Sequence, residues 1–290
     1  MTQSLPHPPP TAGADFFPAP PTDLPYDDGE PLETPRHRFA MNLLIDSLDH
    51  HWQHRNDYFV GGNMFLYYSA AQVKNQDFRG PDFFAVLGVE CQRDRKYWAI
   101  WDEGGKYPDV IIELMSDSTA MIDLTTKKHI YERTFKTADY FVYDPYDPRS
   151  LQGWHLGEDQ RYHPLTPDNR GWLWSAALGL WLGLWQGEIH RESALWLRFY
   201  DPDGNLVLLD SEAAHQQAQQ AQQQAEQAQQ QAEQAQQQAE QAQQQAEQAQ
   251  QQAEQERQRA EQERQRAEQE QQRAERLAAQ LRSLGIDPAE

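Results

Sequence analysis

The sequence predicts a mixed α/β (α+β) domain followed by one long helix. Two observations predict it. Between about residues 26 and 210, short runs rich in β-branched and aromatic residues alternate with segments of helical apolar spacing, as in a single sheet-and-helix core. From Ala218 onward, alanine recurs at alternating steps of three and four, a heptad repeat.

Residues 1–25 are proline-rich and are expected to be disordered or extended. They lack the basic start and apolar core of a signal peptide. RHRFAMNLLIDSLDHHW sets Phe39, Leu43, Leu44 and Leu48 close to one helical stripe. FFAVLGVE, YWAIWDE and DVIIELM read as buried strands. STAMIDLTTKKHIYERTF reads as a helix capped by Ser118, and DYFVYDP as the next strand, stopped at Pro145. AALGLWLGLW is the most apolar run, yet it is too short to span a bilayer and is broken by glycines. LWLRFYDPDGNLVLLD reads as a hairpin turning at Asp203-Gly204.

In the third region, residues 211–285, alanines hold both seam positions from Ala218 to Ala253. Glu256, Glu263 and Glu270 then take the d position while Ala260, Ala267 and Ala274 hold a. Leu277, Leu281 and Leu284 complete the register, Gly285 suits a C′ cap, and Pro288 cannot continue the helix. An alanine seam buries little area, so a lone solvated helix stands beside the reading favoured here, a closely packed coiled coil. Residues 286–290 form a short tail.

The net charge of −20 and pI near 4.8 argue against a non-specific polyanion binder, so any nucleic-acid chemistry needs local positive charge. Cys91 is the only cysteine; no intrachain disulfide is possible, which fits a reducing, cytoplasmic setting with no membrane partner.

The strand VIIELM carries a carboxylate at its centre, and burying Glu113 is costly unless a cation or a hydrogen-bond network compensates it. Pro81-Asp82 and Pro108-Asp109 each precede an apolar strand. Strand alternation sets Asp109, Ile111 and Glu113 on one face, and the following helix carries Asp123, Lys127 and Tyr131 at i, i+4, i+8. If that helix packs back on the strand, carboxylates and a lysine converge. Two carboxylates binding Mg²⁺ beside a lysine form a site for phosphodiester hydrolysis. Blander readings stand alongside. Asp109 could start a strand, Glu113 could pair with a core arginine, Lys127 beside Lys128 could be a solvated face, and Tyr131 a core contact. His50 and His54, at i, i+4, read as a polar helix end rather than a zinc site.

Pro81-Asp82, then ELMS, then Asp-x₃-Lys-x₃-Tyr, then DYFVYDP, resembles the Uma-type restriction-endonuclease-like family of the PD-(D/E)XK nuclease superfamily. The resemblance runs from about Asp28 to Asp210 and includes DGEPLETPRH, GGNMFLYYS and RGPDFFAV. It implies a mixed sheet flanked by helices and Mg²⁺-dependent DNA cleavage, with Mn²⁺ as a substitute. Asp82 matches the first metal-binding aspartate and Glu113 the acidic residue of the (D/E)XK element. Met115 stands where the superfamily has its lysine, and Lys127 matches a lysine moved onto the next helix. His37 matches a recurrent histidine. The other recurrent acidic position has no clear match; Glu30 and Glu33 lie near its start.

Two functions follow as expectations. One is a metal-dependent endonuclease in which Asp82 and Glu113 hold metal and Lys127 faces the phosphate, supported by Asp109, Asp123, Tyr131 and His37, with a homo-oligomer or other coiled-coil partner at the tail. The other is a non-catalytic interaction protein that keeps the fold and recruits a partner through the coiled coil.

Overall fold

The computed structural model describes Leu24, residues 34–69 and residues 80–283. Most of the proline-rich start, Glu30 and Glu33, and the helix-stop signals Leu284, Gly285 and Pro288 lie outside the described residues.

Helix α1, Pro35–His51, opens at an N-cap threonine, Thr34, whose hydroxyl accepts from the His37 amide, with proline at the first helical position. Five strands follow: β1 Tyr58–Gly61, β2 Leu66–Tyr67, β3 Phe83–Leu87, β4 Trp98–Ala99 and β5 Val110–Leu114. A helical segment, α2, covers residues 120–135. The strands β6 Asp139–Asp144, β7 Asp147–Leu156, β8 Tyr162–Pro164, β9 Leu173–Ser175, β10 Leu180–Ile189 and β11 Glu192–Tyr200 complete the sheets, and α3 is Asp210–Ser283.

The main sheet has six strands in the order β1-β3-β5-β6-β7-β8. Only β5 and β6 run parallel within it, from Val110↔Asp139 to Leu114↔Tyr143, and α2 is the crossover that a parallel pair requires. Alternation along β5 sends Val110, Ile112 and Leu114 into the core shared with α1, Phe83, Phe141, Leu182, Trp196 and Phe199. Ile111 goes to the opposite core with Phe84, Val86, Tyr131, Phe135 and Tyr140, so α2 covers the face on which Glu113 stands. The apolar run around Leu180 is a strand, β10, paired antiparallel with β11 and β9 in a three-stranded sheet.

Four expectations change. The strand expected over YWAIWDE is two residues long, because the chain turns at Ile100–Gly105, with Gly104 and Gly105 at φ 62° and 82°. The hairpin after β11 turns at Gly204 (φ 89°), but its return arm makes one bridge, Tyr200↔Leu206, before α3 begins. Ser118 does not cap α2. Instead the Ser116 amide donates to Thr119 Oγ1 (3.1 Å) and the Thr119 amide to Ser116 Oγ (3.2 Å), a reciprocal closure of the turn. Finally, α2 is not a plain α-helix. Ala120–Ile122 and Lys128–Ile130 are α, whereas Asp123–Lys127 and Tyr131–Phe135 are π turns, which close on i→i+5.

The chain divides into two compact units, residues 1–214 and residues 215–290. The first includes the opening turn of α3. Arg198, fully buried, donates to both carboxylate oxygens of Glu212 (3.1 and 2.7 Å) and to the Val207 carbonyl (2.9 Å). Glu212 Oε2 also accepts from the Leu209 amide at 2.9 Å, which satisfies one orphan donor of the helix start. In the second unit the helix is exposed along its length. Within the helix, glutamines pair with glutamates four residues on, from Gln222–Glu226 to Gln243–Glu247.

Candidate active site

Three elements meet behind the main sheet. The residues preceding β3 supply Asp82, the penultimate position of β5 supplies Glu113, and α2 supplies Asp123, Lys127 and Tyr131. The i, i+4, i+8 spacing aligns because α and π turns alternate. A π turn takes in more residues than the 3.6 of an α turn, so the average approaches about four per turn and residues 123, 127 and 131 stack on one face.

Glu113 is 0% exposed, and both its oxygens are engaged. Lys127 Nζ stands 3.0 Å from Oε2, the Tyr131 hydroxyl donates to Oε1 at 2.7 Å, and the Asp82 amide makes a long contact to Oε2 at 3.4 Å. Lys127 Nζ is also 2.8 Å from Asp123 Oδ1. Asp82 Oδ2 accepts from the Leu114 amide at 2.8 Å. Asp123 is 1% exposed, and the Lys127 ammonium, with the Thr119 side chain, compensates its burial. Two carboxylates therefore touch one ammonium and the Asp82 carboxylate lies beside them, a local excess of negative charge.

The titration of these groups reflects that excess. Burial first, then the Glu113 charge, holds the Asp82 carboxyl well above its ordinary 3.8, against the pull of Lys127 and the Leu114 amide. Asp123 is raised for the same two reasons, again against Lys127. Burial alone would lower Lys127, but Glu113, Asp123 and Asp82 outweigh it and its pKa rises, so it stays an ammonium. The Tyr131 phenol is pushed far up by burial and by Glu113, and so remains a donor.

Asp82, Glu113, Asp123, Lys127 and Tyr131 thus stand together. The other two anticipated residues sit elsewhere. Asp109 precedes β5 and turns its carboxylate sideways, where Oδ2 accepts from the Leu87 amide at 2.7 Å. His37, on α1, is buried, with Nε2 3.1 Å from the Met115 carbonyl and Nδ1 2.9 Å from Thr34 Oγ1, which ties α1 to the exit of β5. Two participants carry no signal in the sequence. The Leu114 amide is a backbone group, and Tyr140, whose hydroxyl donates to the Asp123 carbonyl at 2.9 Å, reads as an ordinary core aromatic.

Among the described residues no three His, Cys, Asp or Glu side chains form a ready cation site. The donor chemistry nevertheless suits a hard divalent cation, since Asp82, Glu113 and Asp123 offer carboxylate oxygens. Among those residues, too, no helix is long and apolar enough to cross a membrane.

The profile of the Uma2 family, described as "Putative restriction endonuclease", matches residues 15–190, more than half of the chain. Among solved structures, the chain is similar to the 1.96 Å crystal structure of a "putative nuclease belonging to DUF820" from Anabaena variabilis ATCC 29413. The identity is 12%, over 53% of this chain and 81% of that one, with a TM-score of 0.38. No curated protein matches.

Proposed function

The chain belongs to the Uma2 family, and from that premise we propose that it is a divalent-metal-dependent endonuclease acting on nucleic acid, DNA in the first instance. The observation that carries the reading is the gathering of three carboxylates, with Glu113 and Asp123 in contact with the Lys127 ammonium and Asp82 close enough to feel the charge of both Glu113 and Lys127. Buried surplus charge of one sign is unfavourable for folding, and its common use is to hold a cation.

Asp82 and Glu113 would hold Mg²⁺, or Mn²⁺ in its place, with Asp123 beside them. The bound metal would lower the pKa of a water and offset charge on the phosphate. Lys127, fixed as an ammonium by its acidic neighbours, faces the negative charge that grows on the phosphate oxygens. Tyr131 holds the Glu113 carboxylate in one orientation through its hydroxyl. The long helix α3 serves assembly, with a second copy or another coiled-coil protein.

A second reading has its own observation. Glu113 is already fully partnered by Lys127 and Tyr131, as a structural network would be. On that reading the domain is a non-catalytic binding module. Plasmid cleavage with Mg²⁺ or Mn²⁺ against EDTA separates the two, run beside Asp82→Asn and Lys127→Ala. Metal-dependent cleavage lost in both variants supports the nuclease. No cleavage of duplex DNA, single-stranded DNA or RNA by the wild type would favour the binding module.

A further inference from the structure

We infer that the second unit pairs with a second copy of itself, antiparallel, with Leu277 and Leu281 of each chain set against Ala225 and Ala221 of the other. The inference goes beyond the proposed nuclease activity and does not depend on it. Three observations lead to it.

The first is a division of charge along one helix. Between His215 and Gln255 the chain carries Glu226, Glu233, Glu240, Glu247 and Glu254 and no lysine or arginine. Arginines begin at Arg257 and recur at Arg259, Arg264, Arg266, Arg273, Arg276 and Arg282. The first half is purely acidic, while the second holds all seven arginines beside Glu256, Glu261, Glu263, Glu268, Glu270 and Glu275. Acids without a neighbouring cation are therefore found only in the first half, which a reversed copy lays against the arginines.

The second is what a parallel, in-register pair would bring together. Glu256, Glu263 and Glu270 occupy d and would each meet their own copy across the seam. Arg259, at g, would meet Arg264, at e of the next heptad in the other chain. Both the core and the flank of the charged segment would hold like charges, which repel.

Reversing one chain removes both conflicts. Antiparallel layers pair a with d, and in the stated register Glu256, Glu263 and Glu270 lie opposite Ala246, Ala239 and Ala232. Each glutamate then meets a methyl group and extends past it to water. The thin alanine seam brings the helix axes close, near the short end of the 8–10 Å range, so side chains at e reach those at b across the interface. Arg257 then lies beside Glu247 of the second copy, and Arg264 beside Glu240. Within one chain Arg264 already pairs with Glu268 at 3.2 Å, also from e to b, with both side chains largely exposed and free to accept a second partner.

The third is the exposed leucine. Leu277 is 51% exposed in the single chain, a large apolar group at d with nothing of its own helix to cover it. The register places it on an alanine, where the opposing helix comes closest.

Cross-linking the full-length protein in a Cys91→Ser background tests this. Ala274→Cys and Ala228→Cys stand opposite each other in the stated pairing. Mixed and oxidised, the two proteins should give a heterodisulfide, while neither alone cross-links, and light scattering should report a dimer. A disulfide formed by either variant alone would show parallel pairing and overturn the inference. A monomer that forms no disulfide would do the same. Cross-linking of Ala274→Cys to Ala221→Cys, and not to Ala228→Cys, would overturn the register. As a second arm, Arg257→Glu with Arg264→Glu should abolish the dimer, and mixing that protein with the Glu240→Arg, Glu247→Arg protein should restore it. Undiminished pairing of the first variant alone would overturn the assigned charge contacts.

Discussion

Lys127 Nζ lies 3.0 Å from Oε2 of the fully buried Glu113, and the two ends of this contact are not equivalent. Among the described residues the cation is the only one in contact with Glu113 and Asp123, whereas the acid is one of two that touch Lys127, with the Asp82 carboxylate beside them. Replacing Glu113 by Gln keeps an acceptor for Tyr131 and relieves the repulsion on Asp82 and Asp123. In EDTA, Glu113→Gln should change unfolding free energy by less than about 1 kcal/mol. Lys127→Met leaves buried carboxylates uncompensated and should cost about 3–5 kcal/mol at neutral pH. Urea denaturation of both variants checks the asymmetry; equal losses would refute it.

The same charge excess sets a pH dependence. Asp82 and Asp123 bind their protons more tightly when folded than at the ordinary 3.8, so the folded state takes up protons first as pH falls. Their contribution to stability is therefore fully present below 3.8 and is lost as pH rises through their raised folded values. Without metal, the Asp82→Asn variant should lose less stability than wild type as pH rises through that window. Melting temperatures of the pair, followed from weakly acid to neutral pH in EDTA, provide the comparison.

A divalent cation should reverse that penalty at neutral pH. A ligand bound only by the folded state at 100 times its Kd stabilises by about 2.7 kcal/mol. Mn²⁺ should raise the melting temperature of wild type and leave that of the Asp82→Asn, Glu113→Gln double variant unmoved. An equal rise in both would place the ion elsewhere.

The Arg198–Glu212 pair decides where the folded unit can be cut. A chain ending at Ala214 keeps Glu212, and should remain soluble and folded with its chemistry intact. One ending at Asp210 leaves a fully buried guanidinium without its carboxylate and should lose about 3–5 kcal/mol. Thermal melts of the two truncations against Glu212→Gln in the full chain test this; the Asp210 truncation and Glu212→Gln should fall together.

Within the tail, association should rest on the leucines more than on any alanine. Leu277→Ala and Leu281→Ala should each weaken pairing by about 2 kcal/mol, while one alanine contact has less apolar area to lose. Sedimentation equilibrium of the full-length variants measures the difference. Unchanged association in the double Leu→Ala variant would place the assembly contact in residues 1–214.

The central strands were legible because burial on both faces leaves unmistakable apolar runs, as in β3, β5 and β6. Glu113 was legible for the opposite reason, as a charge inside such a run. Asp123, Lys127 and Tyr131 could be grouped from a spacing of four, but that spacing is also ordinary for an α-helix, so the π turns left no mark. The Arg198–Glu212 pair joins an apolar strand to a polar helix fourteen residues on, and nothing local to either residue announces the other. Ser118 looked like the cap because it stands next to the helix; the choice of Ser116 and Thr119 depends on the backbone path leaving β5.

The wide turns of α2 also fix how the segment tolerates changes in length. Each π turn holds one residue more than an α turn would, so it behaves as an insertion absorbed without breaking the helix. Deleting Thr125 would let the first wide turn relax into regular α geometry and leave the residues on its N-terminal side near their present phase relative to Lys127, whereas deleting His129 from the α turn Lys128–Ile130 would rotate Lys127 by about 100° relative to Tyr131. Asp123 would stay on the face of Lys127 in the first case, and Lys127 and Tyr131 would part in the second. A single codon lost from this stretch is thus absorbed at a wide turn and a phase error at the α turn, and the signature of the second would be a protein in which Lys127 and Tyr131 no longer meet on Glu113.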